Sequence, residues 1–256
     1  MDPAGHPLVF VGGLHRSGTT LLARCLAEHP LVSGFDGTGV PADEGQHLQS
    51  VYPAARAYGG PGRFAFAPEA HLTEASPLAT PANAERLLAD WGPHWDLGRA
   101  VLLEKSPPNL IRFRFLQALF PDAAFVAVTR HPVAVSLATQ KWSKTSIGSL
   151  LRHWIVAHRT FAEDRPYLRR VHVVSYEHLI SRTQECLDAA YSFLALDPHP
   201  TSFVARPDGN DPYFARWREL SSLRRAFLER RYEAGVRRFG YSLAEVSRSG
   251  AVRPPL

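Results

Sequence analysis

The sequence predicts an α/β protein with a P-loop-like, three-layer fold in which a central parallel sheet is flanked by helices. Three observations lead there. Four short runs, Leu8–Gly12, Ala100–Leu103, Ala124–Thr129 and Val171–Val174, are apolar without polar alternation, the pattern of parallel strands covered on both faces. Segments with helical spacing separate them. The first run enters a glycine-bounded turn, Gly13 to Gly18, that opens directly into an apolar helical run.

In chain order, Leu8–Gly12 is the first strand, and Leu21, Leu22 and Leu26 mark the helix after the turn. Cys25 falls inside that helix and is expected to be a buried thiol. The region from about residue 33 to 96 reads as an irregular insertion, rich in Gly and Pro between Ser33 and Pro81 and anchored by Tyr52, Tyr58, Phe64 and Phe66. Within it, Glu44–Val51 reads as a short helix with His47 one turn after Glu44. Helices are expected over Pro108–Phe120, from Pro132 onward, and over Ser149–Arg165, Glu177–Leu196 and the arginine-rich Leu220–Phe239. The tail Arg248–Leu256 is expected to fray. With no internal repeat, residues 1–256 form one predicted domain with the insertion on it.

Composition narrows the function. The net charge is +5, and the basic residues are spread along the chain, which suits a small anionic ligand better than duplex nucleic acid. Two cysteines exclude a disulfide framework and a cysteine zinc site. The first residues lack a basic leader and an h-region, and no stretch is long enough to span a membrane, so a cytoplasmic protein is expected. His71, His94, His153 and His158 are scattered, with neither H-E-x-x-H nor an aspartate cluster. No metal is expected, and these histidines read as contacts to an acceptor at most.

The turn "GLHRSGTT" is a phosphate loop by position: amides at a helix N-terminus favour an anion, Ser17, Thr19 and Thr20 add hydroxyls, and Arg16 adds a charged fork. The lysine that follows the last glycine in nucleotide-triphosphate loops is replaced by Thr19, which argues against ATP or GTP chemistry. "RSGTTLL" resembles the 5′-phosphosulfate loop of sulfotransferases that use 3′-phosphoadenosine 5′-phosphosulfate (PAPS), in the arginine form similar to the tyrosylprotein and carbohydrate branches. "LLEKSPPNLIRFRFLQALFPDAAFVAVTRHPVAVS", "VSYEHLI" with "CLDAAYSFLAL", and "YEAGVRRFGYSL" follow in the order of that family's later segments.

The resemblance implies that Arg16, Ser17, Gly18, Thr19 and Thr20 hold the 5′-phosphosulfate and that Arg130 and Ser136 hold the 3′-phosphate. Ser136 stands six residues after the arginine, where most members place it eight after, so Thr139 is the alternative. Arg206 is the candidate from the loop that closes over the nucleotide. Lys105 is implied to contact the sulfuryl group or the acceptor. The family's base would be a glutamate soon after His29–Pro30, where this chain reads "GFDGTG". Glu44 is therefore ranked first, His47 second, with Asp36 and Asp43 nearby. Trp142 reads as core or acceptor wall. The expected products are a sulfated acceptor and adenosine 3′,5′-bisphosphate (PAP). Two rivals share the fold: a P-loop small-molecule or nucleotide kinase, and a non-catalytic PAP-binding protein. The sequence leaves the acceptor and the oligomeric state open.

Overall fold

The computed structural model describes residues 3–204 and 206–246; the tail expected to fray lies outside them. Five strands form one parallel sheet: β1 (Leu8–Gly13), β2 (Val32–Gly34), β3 (Val101–Lys105), β4 (Ala124–Thr129) and β5 (Val171–Ser175), in the order β2-β3-β1-β4-β5. Their C-terminal ends share one edge, where Lys105 stands beside Val11 and Gly13 beside Val128. β1 is the switch point: the chain first runs to the edge strand β2, returns to place β3 beside β1, and then builds β4 and β5 on the other side, leaving a crevice above the end of β1.

The pleat divides the strand side chains between two cores. Phe10, Leu102 and Phe125 point to one face, where they meet Trp91 of α2 (Pro81–Trp91), Phe115 of α3 (Phe113–Leu119), Val133 of α4 (Pro132–Ser143) and Trp154 of α5 (Ile147–Asp164). Val9, Val11, Leu103 and Val126 point to the other, against Leu22 and Leu26 of α1 (Thr19–Ala27) and Leu187 of α7 (Thr183–Phe193). Burial on both faces is why the strands read as unbroken apolar runs. The remaining helices are α6 (Tyr176–Ser181), α8 (Asp211–Arg218) and α9 (Ser222–Arg237). Among the described residues no helix is long and apolar enough to cross a membrane.

Several boundaries differ from expectation. The short edge strand β2 and the helices α2 and α8 were not anticipated. Thr80 caps α2 through Asn83 N, and Pro81 follows it, a start signal the Gly/Pro-rich context obscured. Pro107–Ile111 forms 3₁₀ turns before α3, because two prolines cannot supply helical donors. The segment 177–196 breaks at Arg182, whose ψ of 58° leaves the helical region. Glu44–Val51 is not a helix: 3₁₀ turns Pro41–Asp43 and Gly45–His47 flank an extended Glu44. There, Gly45 lies so close to Glu104 that a Cβ would meet its carboxylate at 2.4 Å.

The insertion is irregular but firmly seated. Phe64 is fully buried, its ring edge-on to His153 of α5 at 4.9 Å. Arg112 is buried beneath the insertion and donates to the carbonyls of Ala70 and Pro53. Asp164 pairs with both His71 and Arg114, and Arg114 also grips Glu74. His153 and His158 are therefore core residues rather than acceptor contacts: His153 accepts from Ala65 N, and His158 donates to Trp154 O. Burial holds both imidazoles neutral, at about 3 and about 4. Cys25 and Cys186 are buried free thiols, as expected for Cys25.

Phe64→Ala should destabilise the protein by about 3–5 kcal/mol, measured by chemical denaturation, since it empties the insertion's main anchor.

Candidate active site

The loop between β1 and α1 is held in an unusual backbone state. Arg16 has a φ of 71°, the left-handed region that non-glycine residues enter only when their surroundings impose it. Its carbonyl accepts from the Arg130 guanidinium at 2.8 Å, and Ser17 N bonds Leu14 O at 2.9 Å. Gly18 follows with a φ of 105°, and a side chain there would strike the Tyr176 ring at 2.5 Å. α1 then starts on Gly18 with no side-chain cap and no acidic residue in its first turn. By contrast α2, α4, α5, α6 and α9 are each capped by their own Thr, His or Ser side chain. α3, α7 and α8 also lack a side-chain cap, but the start of α1 is the one beside the crevice above β1. Ser17 Oγ is buried without a partner beneath the same turn.

Arg130 follows β4 and is 5% exposed. Besides Arg16 O, its guanidinium donates to Asn210 Oδ1 and Gly209 O, both at 2.8 Å, and it lies 3.9 Å over the Tyr176 ring. Three of its five N–H donors are thus engaged internally, and each terminal nitrogen keeps one. Glu177 supports this arrangement by accepting from His131 N and Asn210 Nδ2. Arg206 is exposed on the loop that supplies Gly209.

Ser136 sits lower than the sequence implied. Its Oγ is buried without a partner, facing a cavity of about 10 Å³ lined by His15, Gly62, Thr139 and His153. Thr139 Oγ1 reaches His15 O at 3.5 Å. Both hydroxyls underlie the loop, and a ligand would meet Ser136 only if the loop and Gly62 parted. Trp142 is not core: it is 60% exposed, and Arg16 stacks on it at 4.6 Å.

Across the sheet edge, Lys105 is buried at the end of β3, donating to Ala42 O at 2.6 Å, with Glu44 Oε1 3.5 Å from its ammonium. His47 lies 3.8 Å from Glu44 Oε2. The two 3₁₀ turns thus bring Glu44 and His47 together, as the expected helix would have done by another route, and set them beside Lys105. Burial lowers the Lys105 and His47 pKa values, and the Glu44 carboxylate opposes both shifts. Beside them, desolvation pushes the His15 imidazole down to about 3, so it stays neutral.

Below this cluster runs a polar chain the sequence reading missed. Gln46 donates its side-chain amide to Glu44 Oε2 and accepts from Ala55 N. Its backbone N–H bonds Ser106 Oγ, which in turn donates to Glu104 Oε1 at 2.6 Å. Asn109 donates to the other Glu104 oxygen. Glu104 points to the opposite face from Lys105, so the two do not pair, and burial pushes its carboxyl up to about 7 despite those hydrogen bonds.

A cleft of about 520 Å³ opens beside the loop, reaching from Thr20 and Lys105 along Arg24 to Phe35, Asp36 and His94. Asp36 and Asp43 face it, whereas Glu44 lies behind Lys105. Asp43 is occupied by the Thr38 amide and hydroxyl.

The family model described as Sulfotransferase family matches residues 7–200, more than half of the chain and all of this site except the loop with Arg206, Gly209 and Asn210. The chain belongs to the sulfotransferase family. No curated protein matches the sequence. Among solved structures, the fold of this sulfotransferase is similar to the sulfotransferase domain from the curacin biosynthetic pathway, 17% identical with a TM-score of 0.55 over 93% of this chain and 98% of that one. It is also similar to the sulfotransferase domain from the Synechococcus PCC 7002 olefin synthase, 19% identical with a TM-score of 0.51 over 86% and 91% of the two chains. A sulfotransferase from Mycobacterium tuberculosis gives 17%, 0.52, 82% and 71% respectively.

The pKa of Glu104 sets a pH dependence with a definite sign. Its ordinary value is 4.5, so between there and about 7 the folded state holds the extra proton. Stability therefore falls as pH rises through that window. Glu104→Gln should be stabilised relative to the parent protein at about pH 8 and far less at about pH 5, compared by urea denaturation.

Proposed function

We propose that this sulfotransferase takes its sulfuryl group from PAPS and passes it to an acceptor hydroxyl or amine, releasing PAP. The observation that carries the reading is the uncapped start of α1, with the partnerless Ser17 hydroxyl beneath it and the Lys105–Glu44 pair across the same strand edge.

In this reading the 5′-phosphosulfate lies on the amides of Thr19 and Thr20, with the hydroxyls of Ser17, Thr19 and Thr20 around it. Arg16, exposed on the loop, swings from Trp142 to meet the charge. Arg130 offers its two remaining N–H groups to the 3′-phosphate, Arg206 closes from the facing loop, and Ser136 joins only through a loop shift. The acceptor lies in the 520 Å³ cleft, with its nucleophilic atom near Lys105.

The acceptor O–H gives its proton to Glu44 as its oxygen bonds to sulfur, a transfer that requires Lys105 to shift aside and open the carboxylate to the cleft. The bond from sulfur to the bridging phosphate oxygen breaks, and its electron pair stays on the PAP phosphate, where the amides and Arg16 receive the charge. Lys105 donates to the transferring group, and Glu44, behind it, holds the ammonium charged. His47 holds Glu44 from the other side and is the second candidate base; Asp36 is the alternative on the cleft wall. A kinase reading is disfavoured by the residue after Gly18, Thr19 in place of the lysine that reaches β/γ-phosphates.

PAP should raise the melting temperature without Mg²⁺, whereas no stabilisation by PAP would overturn the donor assignment. Glu44→Gln should keep that stabilisation but lower kcat about 10²–10⁴-fold with any acceptor found. Unchanged turnover in Glu44→Gln together with its loss in Asp36→Asn would move the base to the cleft wall.

A further inference from the structure

The solvent-exposed face of α9 carries no residue placed in the site and a chemistry that sulfuryl transfer does not use. α9 packs inward through Leu228 and Val236, both buried. Outward, Leu223 and Phe227 are 84% and 65% exposed, one helical turn apart. With 3.6 residues per turn, Leu223, Arg224, Phe227, Arg230, Arg231 and Arg238 fall within roughly 120° of the helix circumference. Among the described residues, Arg224, Arg230, Arg231 and Arg238 have no ion-pair partner. The helix's two glutamates are turned aside and already paired, Glu229 with Arg225 and Glu233 with Arg237. A shallow hollow of about 350 Å³ lies among Phe227, Arg230 and Arg231.

We propose that α9 docks the protein on an anionic lipid surface, with Leu223 and Phe227 entering the headgroup–acyl boundary and the arginines meeting lipid phosphates. An amphipathic helix with Phe and Leu among arginines binds such surfaces by apolar burial plus attraction to anionic lipid. The hollow beside Phe227 has two arginines to receive one headgroup phosphate. Charge argues against the other occupants. A second copy would set four unpaired arginines against four more. The chain's own segment after Val246 carries Arg248 and Arg253 and no Asp or Glu. A soluble polyanion would use the arginines but leaves two large apolar side chains in water at the centre of the face. The attachment is peripheral, and it stands independently of the donor assignment.

The test is co-sedimentation of the full chain with vesicles of phosphatidylcholine alone and with about a third phosphatidylglycerol. Binding is expected to the anionic vesicles only, weakening several-fold when salt rises from about 0.1 M to about 0.5 M. Leu223→Ser/Phe227→Ser and Arg230→Gln/Arg231→Gln should each lower it at least about tenfold, with an unchanged melting profile showing that the variants fold. No vesicle binding, equal binding to neutral vesicles, or binding that survives the loss of Leu223 and Phe227 would each overturn the proposal. The last points to a soluble polyanion. A dimer in sedimentation equilibrium that Phe227→Ser dissolves would overturn it in favour of a second copy.

Discussion

The site depends on one contact: the Arg130 guanidinium holding the carbonyl of Arg16, a residue forced into the left-handed backbone region. A non-glycine residue at positive φ costs on the order of 1–3 kcal/mol and persists only where its surroundings over-determine it. Here they do. β4 delivers Arg130 beside β1, Glu177 and Asn210 fix its orientation, and Tyr176 closes against Gly18 so that no side chain fits there. The result is a turn that starts α1 without a side-chain cap, with Ser17 and Thr19 buried within it and Arg16 exposed above it. The same guanidinium reaches the loop containing Gly209, so the two loops that would enclose a nucleotide are joined through one side chain.

The second half of the site is positioned by the insertion. Phe64, Arg112 and the Asp164 pairs seat it against the sheet and α5, and the Gln46–Ser106–Glu104 chain ties its Gly45–His47 turn to the end of β3. Glu44 is thereby held against Lys105 by buried hydrogen bonds rather than by helix geometry. An irregular segment can place a charged pair this way because buried side chains tie it to its surroundings: Gln46 bridges Glu44 to Ala55 N and Ser106, and Lys105 bonds Ala42 O.

Much of this was legible in the sequence, for identifiable reasons. Buried parallel strands announce themselves by continuous apolar runs, so β1, β3, β4 and β5 were visible, whereas β2 is three residues long and carries no such run. The loop residues Arg16 to Thr20 and the strand-end residues Lys105 and Arg130 follow from short-range order. Ser136 and Trp142 illustrate the limit: both lie on α4, yet one is sealed under the loop and the other stands in solvent beside Arg16. Helical spacing gives a face but not what covers it. Gln46, Glu104 and Glu177 act through partners distant in sequence, for which one chain offers no local signal. Thr80–Pro81, by contrast, was a readable helix start.

Calorimetric titration of PAP and of adenosine 5′-monophosphate, without Mg²⁺, into the parent protein and Arg130→Lys tests the central claim most directly. Arg130 is predicted to hold the loop and the 3′-phosphate together. PAP should therefore bind at least about tenfold more tightly than the monophosphate, and Arg130→Lys should lose most of that preference while its fold survives. Equal affinity for the two nucleotides, or a preference for PAP untouched by Arg130→Lys, would contradict it.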